Sequence, residues 1–247
     1  MIRKIRIQLA IFSLLFVLPG TLWAIDGTEL LKQVDANLQP PTYEMYRKLI
    51  NIEPDGSKKE FVFYTVKKGK EKMLILFLSP ASEKGRVSLR IGDNMWLYIP
   101  NVGRPIRITS LQSVVGGVFN NSDIMRLDFH VEYDVEKLSD QGETWLLELK
   151  AKSGSVAYDR LKMTVDKKTV QPLDIECIAS SGMLIKTLHY SDIKDLGDGF
   201  IRPAKLVTDS PLHKGYKSVM IFAKIKKREL DDEVFTLDFM PKVGELR

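Results

Sequence analysis

From Thr42 onward the apolar residues recur at every second position, and no other feature narrows the fold so far. A period of two marks strands with one dry and one wet face, so the chain reads as mainly β. In residues 59–67, Phe61, Phe63 and Thr65 share one face, and Val62, Tyr64 and Val66 share the other. The turn-forming run Pro54-Asp55-Gly56-Ser57 precedes this segment, which therefore pairs as a hairpin with residues 43–52. Further strand segments are predicted at 72–78, 86–91, 95–99, 106–109, 129–138, 144–151, 158–166, 173–179, 184–195, 202–208 and 218–228. Their close spacing, with Gly- and Asp-rich turns between them, is that of an antiparallel all-β domain. No fixed-length repeat and no linker-like stretch interrupts them, so residues 25–247 are expected to form a single domain.

Two segments precede the strands. Arg3, Lys4 and Arg6 open the chain without an acid, residues 7–18 are almost wholly apolar, and Pro19-Gly20 then leads to Leu22-Trp23-Ala24. This is the pattern of a cleaved secretory signal peptide over residues 1–24, cut between Ala24 and Ile25. The apolar run falls short of the roughly 20 residues a spanning helix needs. Ile25 rather than a cysteine follows the cut, so nothing marks the new N-terminus for acylation. Next, Asp26 and Glu29 have the spacing of a capping box, and Leu30, Leu31, Val34 and Leu38 make one apolar stripe. A helix of about three turns is expected there, ended by Pro40-Pro41.

Charge and chemistry exclude several classes. The leader holds three of the 37 basic residues and none of the 32 acidic ones, which leaves the remainder near neutrality. Lys67-Lys68 and Lys226-Lys227-Arg228 are short runs that read as solvated strand ends, so nucleic acid is not an expected partner. His130, His189 and His213 are scattered, without metal-ligand spacing. Neither a Gly-x-Ser-x-Gly elbow nor a phosphate-cradling loop is present. No catalytic residue, metal or cofactor is expected, and a hydrolase would need Ser or Asp beside His130 or His189 inside a cavity. Cys177, among Ile175, Ile178 and Ala179, reads as a small core hydrophobe. Asp123, Asp128, Glu132 and Asp134 read as the wet face of a strand.

Two features bear on function. Residues 73–78 are apolar on both faces, so they must be covered twice, by a core and by a helix or a ligand. Residues 110–128 lack any strand pattern, and long structureless connections in compact domains are usually functional. Leu111, Val114, Val115, Val118, Phe119, Ile124, Met125 and Leu127 flank the joint Gly116-Gly117, which makes this segment a candidate lid. Ser122-Asp123 is placed to cap a short helix through Leu127. Read alternatively, the segment is a helical plug on a sheet.

Several motifs resemble the LolA-like family of outer-membrane lipoprotein-sorting proteins. They are Phe77-Leu-Ser-Pro-Ala-x-x-x-Gly85, Leu89-Arg-Ile-Gly-Asp-Asn-Met-Trp-Leu-Tyr-Ile-Pro100, Arg104-x-x-Arg-Ile-x-Ser110 and Phe119-x-x-Ser-Asp123. Leu147-Glu-Leu149, Ala157-Tyr158, Val165-Asp166-Lys167, Pro172-Leu173 and Lys186-Thr187-Leu188 agree with it. The resemblance implies a strongly curved antiparallel sheet, a half-open β-barrel with a helical lid. It also implies a periplasmic carrier of lipoprotein or lipid acyl chains in a Gram-negative envelope. Such a carrier takes cargo from an inner-membrane exporter of ABC or RND type and passes it to an outer-membrane acceptor. No cargo-contacting residue of the sorting carriers matches specifically.

The residues support the same mechanism. An unclosed barrel keeps room that its own side chains do not fill. Burial contributes ~0.8 kcal/mol per CH₂, so a chain of about 16 carbons stripped from a bilayer costs on the order of 10 kcal/mol unless a dry surface receives it. Candidate cavity-wall residues are Phe61, Phe63, Met73, Ile75, Phe77, Met95, Leu97 and Ile99, each of which also suits ordinary core. Trp96 and Tyr98 line the mouth or pack under the lid. A monomeric carrier without a catalytic step is the favoured reading. The rival is a non-carrying adaptor with a filled interior, docked on an exporter.

Overall fold

The computed structural model describes residues 25–247 except Leu127 and Asp198, so the leader and one lid candidate lie outside the described residues. Helix α1, Gly27–Leu38, comes first. Asp26 caps it, accepting bonds from the backbone N–H groups of Thr28 and Glu29. Leu30, Leu31, Val34 and Leu38 are buried in the main core, each contributing about 1.5–3 kcal/mol of apolar burial.

Strands β1 (Thr42–Ile52), β2 (Lys58–Lys68), β3 (Lys72–Ser79), β4 (Val87–Ile91), β5 (Asn94–Tyr98) and β6 (Ile106–Ile108) follow as a meander. After the short helices α2 (Asn121–Ile124) and α3 (Phe129–Glu132), a second meander runs through β7 (Tyr133–Asp140), β8 (Thr144–Ala151), β9 (Arg160–Asp166), β10 (Pro172–Ile178), β11 (Leu184–Asp195), β12 (Ile201–Asp209) and β13 (Lys217–Lys227). All thirteen strands form one sheet in the order β6-β5-β4-β3-β2-β1-β13-β12-β11-β10-β9-β8-β7. Antiparallel pairing of β1 with β13 joins the two meanders in the middle, leaving β6 and β7 as the free edges. The sheet is therefore a barrel left unclosed, and residues 109–132 carry the chain from one edge to the other across the open side.

Alternation divides the residues of each strand between two layers. Met73, Ile75 and Phe77 enter the main core, where Phe63 meets Phe77 edge to face at 4.6 Å. Leu74 and Leu76 enter a second core on the opposite face. The second cover is neither a ligand nor α1. It is the C-terminal tail, whose 3₁₀ turns Asp232–Phe235 and Met240–Leu246 place Val234, Phe235, Met240 and Val243 against β2, β3 and β4. Trp96 and Tyr98 pack beneath this tail, on the face away from the lid.

One expected strand starts late. Residues 129–132 form a helical turn because the Asp35 carboxylate accepts the N–H groups of Phe129, at 2.7 Å, and His130, at 2.9 Å. A side chain from a distant helix thus caps α3 and overrides the local strand pattern.

Candidate functional site: a lidded cavity ringed by arginines

The lid begins as a narrow loop closed by a bridge between Ser113 and Asn120. Asn120 then caps α2, and Asp123 bonds back to the Asn120 N–H, so the capping box starts two residues before the expected Ser122. At Gly117 the loop presses so closely on β1 that a Cβ there would lie 2.2 Å from the Asn51 side chain. Ser218 completes that contact: its hydroxyl donates to Asn51 at 2.8 Å and accepts from the Val118 N–H at 2.9 Å. Gly116, in contrast, has φ +75° with open space around it, the conformation glycine adopts without strain.

Charge, not only apolar contact, holds the lid down. The concave face of the sheet presents Arg47, Lys67, Arg90, Lys186 and Arg202, all 5 % exposed or less. Lys186 pairs with Asp123 at 2.9 Å and also donates to the Val118 carbonyl. Tyr158 donates to the same carboxylate at 2.8 Å and accepts from Asn120 at 2.8 Å. Lys67 binds Asp128 at 2.7 Å. Arg90 binds Glu132 and donates to the Met125 carbonyl at 3.1 Å. Arg47 donates to the Ile124 carbonyl at 2.8 Å, and Arg202 to the Leu38 carbonyl of α1. The sheet supplies the cations, and the helices supply the carboxylates and carbonyls. Lys67 is therefore no solvated strand end, and Asp123, Asp128 and Glu132 are no wet strand face. They sit on the lid, turned inward, because each finds a cation there. Asp134 alone of that set is exposed.

Between lid and sheet lies a cavity of about 50 Å³. From the sheet it is bordered by Tyr43, Met45 and Arg47 of β1, Met73 of β3, Tyr190 of β11, and Arg202 and Leu206 of β12. The lid contributes Phe119, Asp123, Ile124, Arg126 and Phe129, and α1 contributes Asp35 and Leu38. Burial raises the Asp35 carboxyl to about 6, although bonds from His130 and Phe129 oppose the rise. Burial also lowers the Arg47 guanidinium to about 10, helped by the neighbouring charge of Arg202 and opposed by Tyr43.

Of the candidate wall residues, Met73 borders this cavity. Phe61, Phe63, Ile75 and Phe77 are packed in the main core beside it. Met95, Leu97 and Ile99 lie apart, clustered with Ile108 near the β6 edge. Of the lid candidates, Val114, Phe119, Ile124 and Met125 enter the main core and Val115 packs against it. Val118 is buried, whereas Leu111 is 60 % exposed. Cys177 is fully buried in the core. The charged ring has little signature in the sequence because each cation occupies one alternate position of a strand, as a solvated residue would. The available signal was phase: Arg47 shares the inward register of Met45 and Leu49, and Asp35 lies within the apolar stripe of α1.

His130 does have an acid beside it, with Nδ1 2.8 Å from Asp35. Its Nε2, however, faces the Lys70 ammonium at 3.0 Å, where a hydrolase would place a nucleophilic hydroxyl. Among the described residues no His, Cys, Asp and Glu cluster suits a metal ion. Nor, among them, is any helix long and apolar enough to cross a membrane.

Comparison with known proteins agrees with this architecture. A family model described as "-like: Uncharacterized protein" matches residues 69–242. A LolA superfamily protein from Nitrosomonas europaea has a similar structure, with TM-score 0.79 and 27% identity over 87% of this chain and 100% of that one. An outer-membrane lipoprotein-sorting protein domain from Vibrio parahaemolyticus superposes with TM-score 0.73 at 18% identity, over 87% of this chain and 98% of that one. A DUF1329 family protein from Desulfovibrio piger gives TM-score 0.74 at 22% identity, over 87% and 97%. These last two likenesses speak for the fold alone. No curated protein matches the chain.

Proposed function

We propose, from the premise that the chain belongs to the LolA-like superfamily, that it is a periplasmic carrier of acyl chains. In this reading it binds lipoprotein or lipid cargo under its lid and moves it toward the outer membrane without a catalytic step. Its leader, residues 1–24, directs export and is removed. Donor and acceptor are an inner-membrane exporter, of ABC or RND type, and an outer-membrane receptor.

One observation carries the reading: the open side of the sheet is crossed by a lid that is tied down through buried polar and charged groups as well as through apolar ones. Apolar contact grows stronger with every methylene buried, whereas water or a partner replaces a hydrogen bond to a charged group at a net difference of about 1.5–3 kcal/mol. A cover fastened by such bonds can lift and settle again. Lifting is required, because the 50 Å³ cavity is far below the roughly 300–1,000 Å³ of a ligand pocket. The apolar side chains beneath the lid, Met73, Leu206, Met220 and Phe222 among them, then become the dry surface offered to the cargo.

The small cavity also favours the second reading, a non-carrying adaptor whose interior stays packed. Purification of the protein from a periplasm, followed by lipid mass spectrometry and titration with a fluorescent fatty acid, separates the two. The carrier returns bound lipid or lipoprotein and a saturable probe signal. Absence of both would leave the adaptor standing.

A further inference from the structure

The buried cations of this protein are not equally satisfied. Arg90 uses all three of its nitrogens, on the Gly92 carbonyl, the Met125 carbonyl and Glu132. Lys67 and Lys186 each have a carboxylate. Arg47 and Arg126 differ. Arg47 spends Nε on the Thr65 hydroxyl at 2.9 Å and Nη1 on the Ile124 carbonyl at 2.8 Å, yet its buried Nη2 has no partner among the described residues. Arg126, on the lid, makes one long contact to Asp123 at 3.4 Å, and its buried Nη1 has none. Both side chains border the same cavity, together with Arg202.

A buried donor without an acceptor costs about 1–3 kcal/mol, more when it is charged. Two at one cavity, beside a third guanidinium, form a cluster of positive groups with donors to spare. The carboxylates at the cavity do not cancel it. Asp35 is occupied by the N–H groups of Phe129 and His130 and by the His130 ring. Asp123 is shared among Lys186, Tyr158, the Asn120 N–H and, at 3.4 Å, Arg126 Nη2, which leaves Nη1 of Arg126 without an acceptor. The apolar sides of the site are held by ring contacts, with Arg126 4.5 Å from the centre of Phe129 and Arg202 4.3 Å from that of Phe222. A site of this kind matches an oxyanion with several acceptor oxygens, for which guanidinium groups are the best-shaped partners. The volume of 50 Å³ admits about four water-sized groups, enough for a head group but not for a chain.

We propose that Arg47, Arg126 and Arg202 bind the phosphate group of an anionic lipid, so that the head of the cargo occupies this cavity beneath the lid while its acyl chains lie against the apolar surface beside it. This rests on the carrier reading and specifies its cargo class. The phosphate fixes which end of the lipid enters, and a lid residue, Arg126, takes part in holding it.

The test compares dodecyl phosphate, dodecanol and inorganic phosphate as ligands of the purified protein, with affinity measured by calorimetry. Dodecyl phosphate is expected to bind at least about tenfold more tightly than dodecanol, a difference of about 1.4 kcal/mol. Arg126→Gln and, separately, Arg47→Gln should reduce that ratio to about threefold or less. Arg126→Lys keeps the charge and should restore part of the preference, which covers the case of Arg47→Gln failing to fold. Equal binding of the two dodecyl ligands, unchanged by either arginine variant, overturns the head-group site and leaves the carrier intact. Binding of inorganic phosphate as tight as that of dodecyl phosphate overturns the lipid assignment in favour of a free-anion site. If neither dodecyl ligand binds, the carrier reading falls and this inference falls with it.

Discussion

The same sheet wears two covers, and they are fastened differently. On the convex side of β2–β5 the C-terminal tail packs Leu230, Val234, Phe235, Met240 and Val243 onto Tyr64, Val66, Leu74, Val87 and Leu89. Its ion pairs, Asp232 with Lys68 and Lys72 at 2.8 Å, lie at an exposed rim. On the concave side the lid also buries apolar residues, but cations and carboxylates removed from water lie beneath it as well. Non-directional apolar burial makes a cover that stays. Directional polar bonds make one that closes in a single register, because a shifted lid would leave charges buried without partners. The tail is part of the scaffold; the lid is a device mounted on it.

The largest effect should come from damaging the permanent cover. Phe235→Ala empties a packed site and is expected to lower stability by about 3–5 kcal/mol. Lid closure and ligand binding, measured on the folded fraction, should be unchanged. Loss of binding without loss of stability would erase the distinction between the two covers. Next comes Lys186→Met, which leaves Asp123 buried with Tyr158, Arg126 and the Asn120 N–H but without its ammonium partner. Those remaining bonds bring the expected cost to about 2–4 kcal/mol, below that of a fully orphaned charge. Hydrogen exchange should then speed up in residues 114–125 and not in residues 230–243. Uniform acceleration would show that the lid is as integral as the tail.

The smallest effect is a dependence on pH. Asp35 is an acid raised from 3.8 to about 6 in the folded protein, so the folded state favours its proton. Its contribution is fully present below about pH 4 and is lost as pH rises through about 6, on the order of 1–3 kcal/mol. Denaturant titrations across that window should show the decline, and Asp35→Asn should flatten it. An unchanged slope in the variant would assign the pH dependence elsewhere.

The two covers also differ in how far they could be read from the chain. Apart from β7, which starts four residues late, the strands were legible to within a residue or two because alternation is local: β8 and β11 have the expected bounds, and β1 begins one residue early. Helix α1 was legible from its cap and its stripe. The tail was not, because Leu230, Val234, Phe235, Met240 and Val243 follow neither a helical nor a strand period once 3₁₀ turns carry them. The lid was visible as a gap in the pattern, but its latches were not. Lys186 and Asp123 are 63 residues apart, and Arg47 reaches a backbone carbonyl, an acceptor that every residue offers. Contacts of that range have no local signature, so a buried charged residue in a strand looks the same in sequence as a wet one.

The central ladder of the sheet has a consequence for the order in which the molecule can be built. Residues 42–52 find their second neighbour only in residues 217–227, close to the end of the chain. Until β13 is present, β1 has one bare side, and the sheet waits on a contact of very long sequence separation, which slows folding.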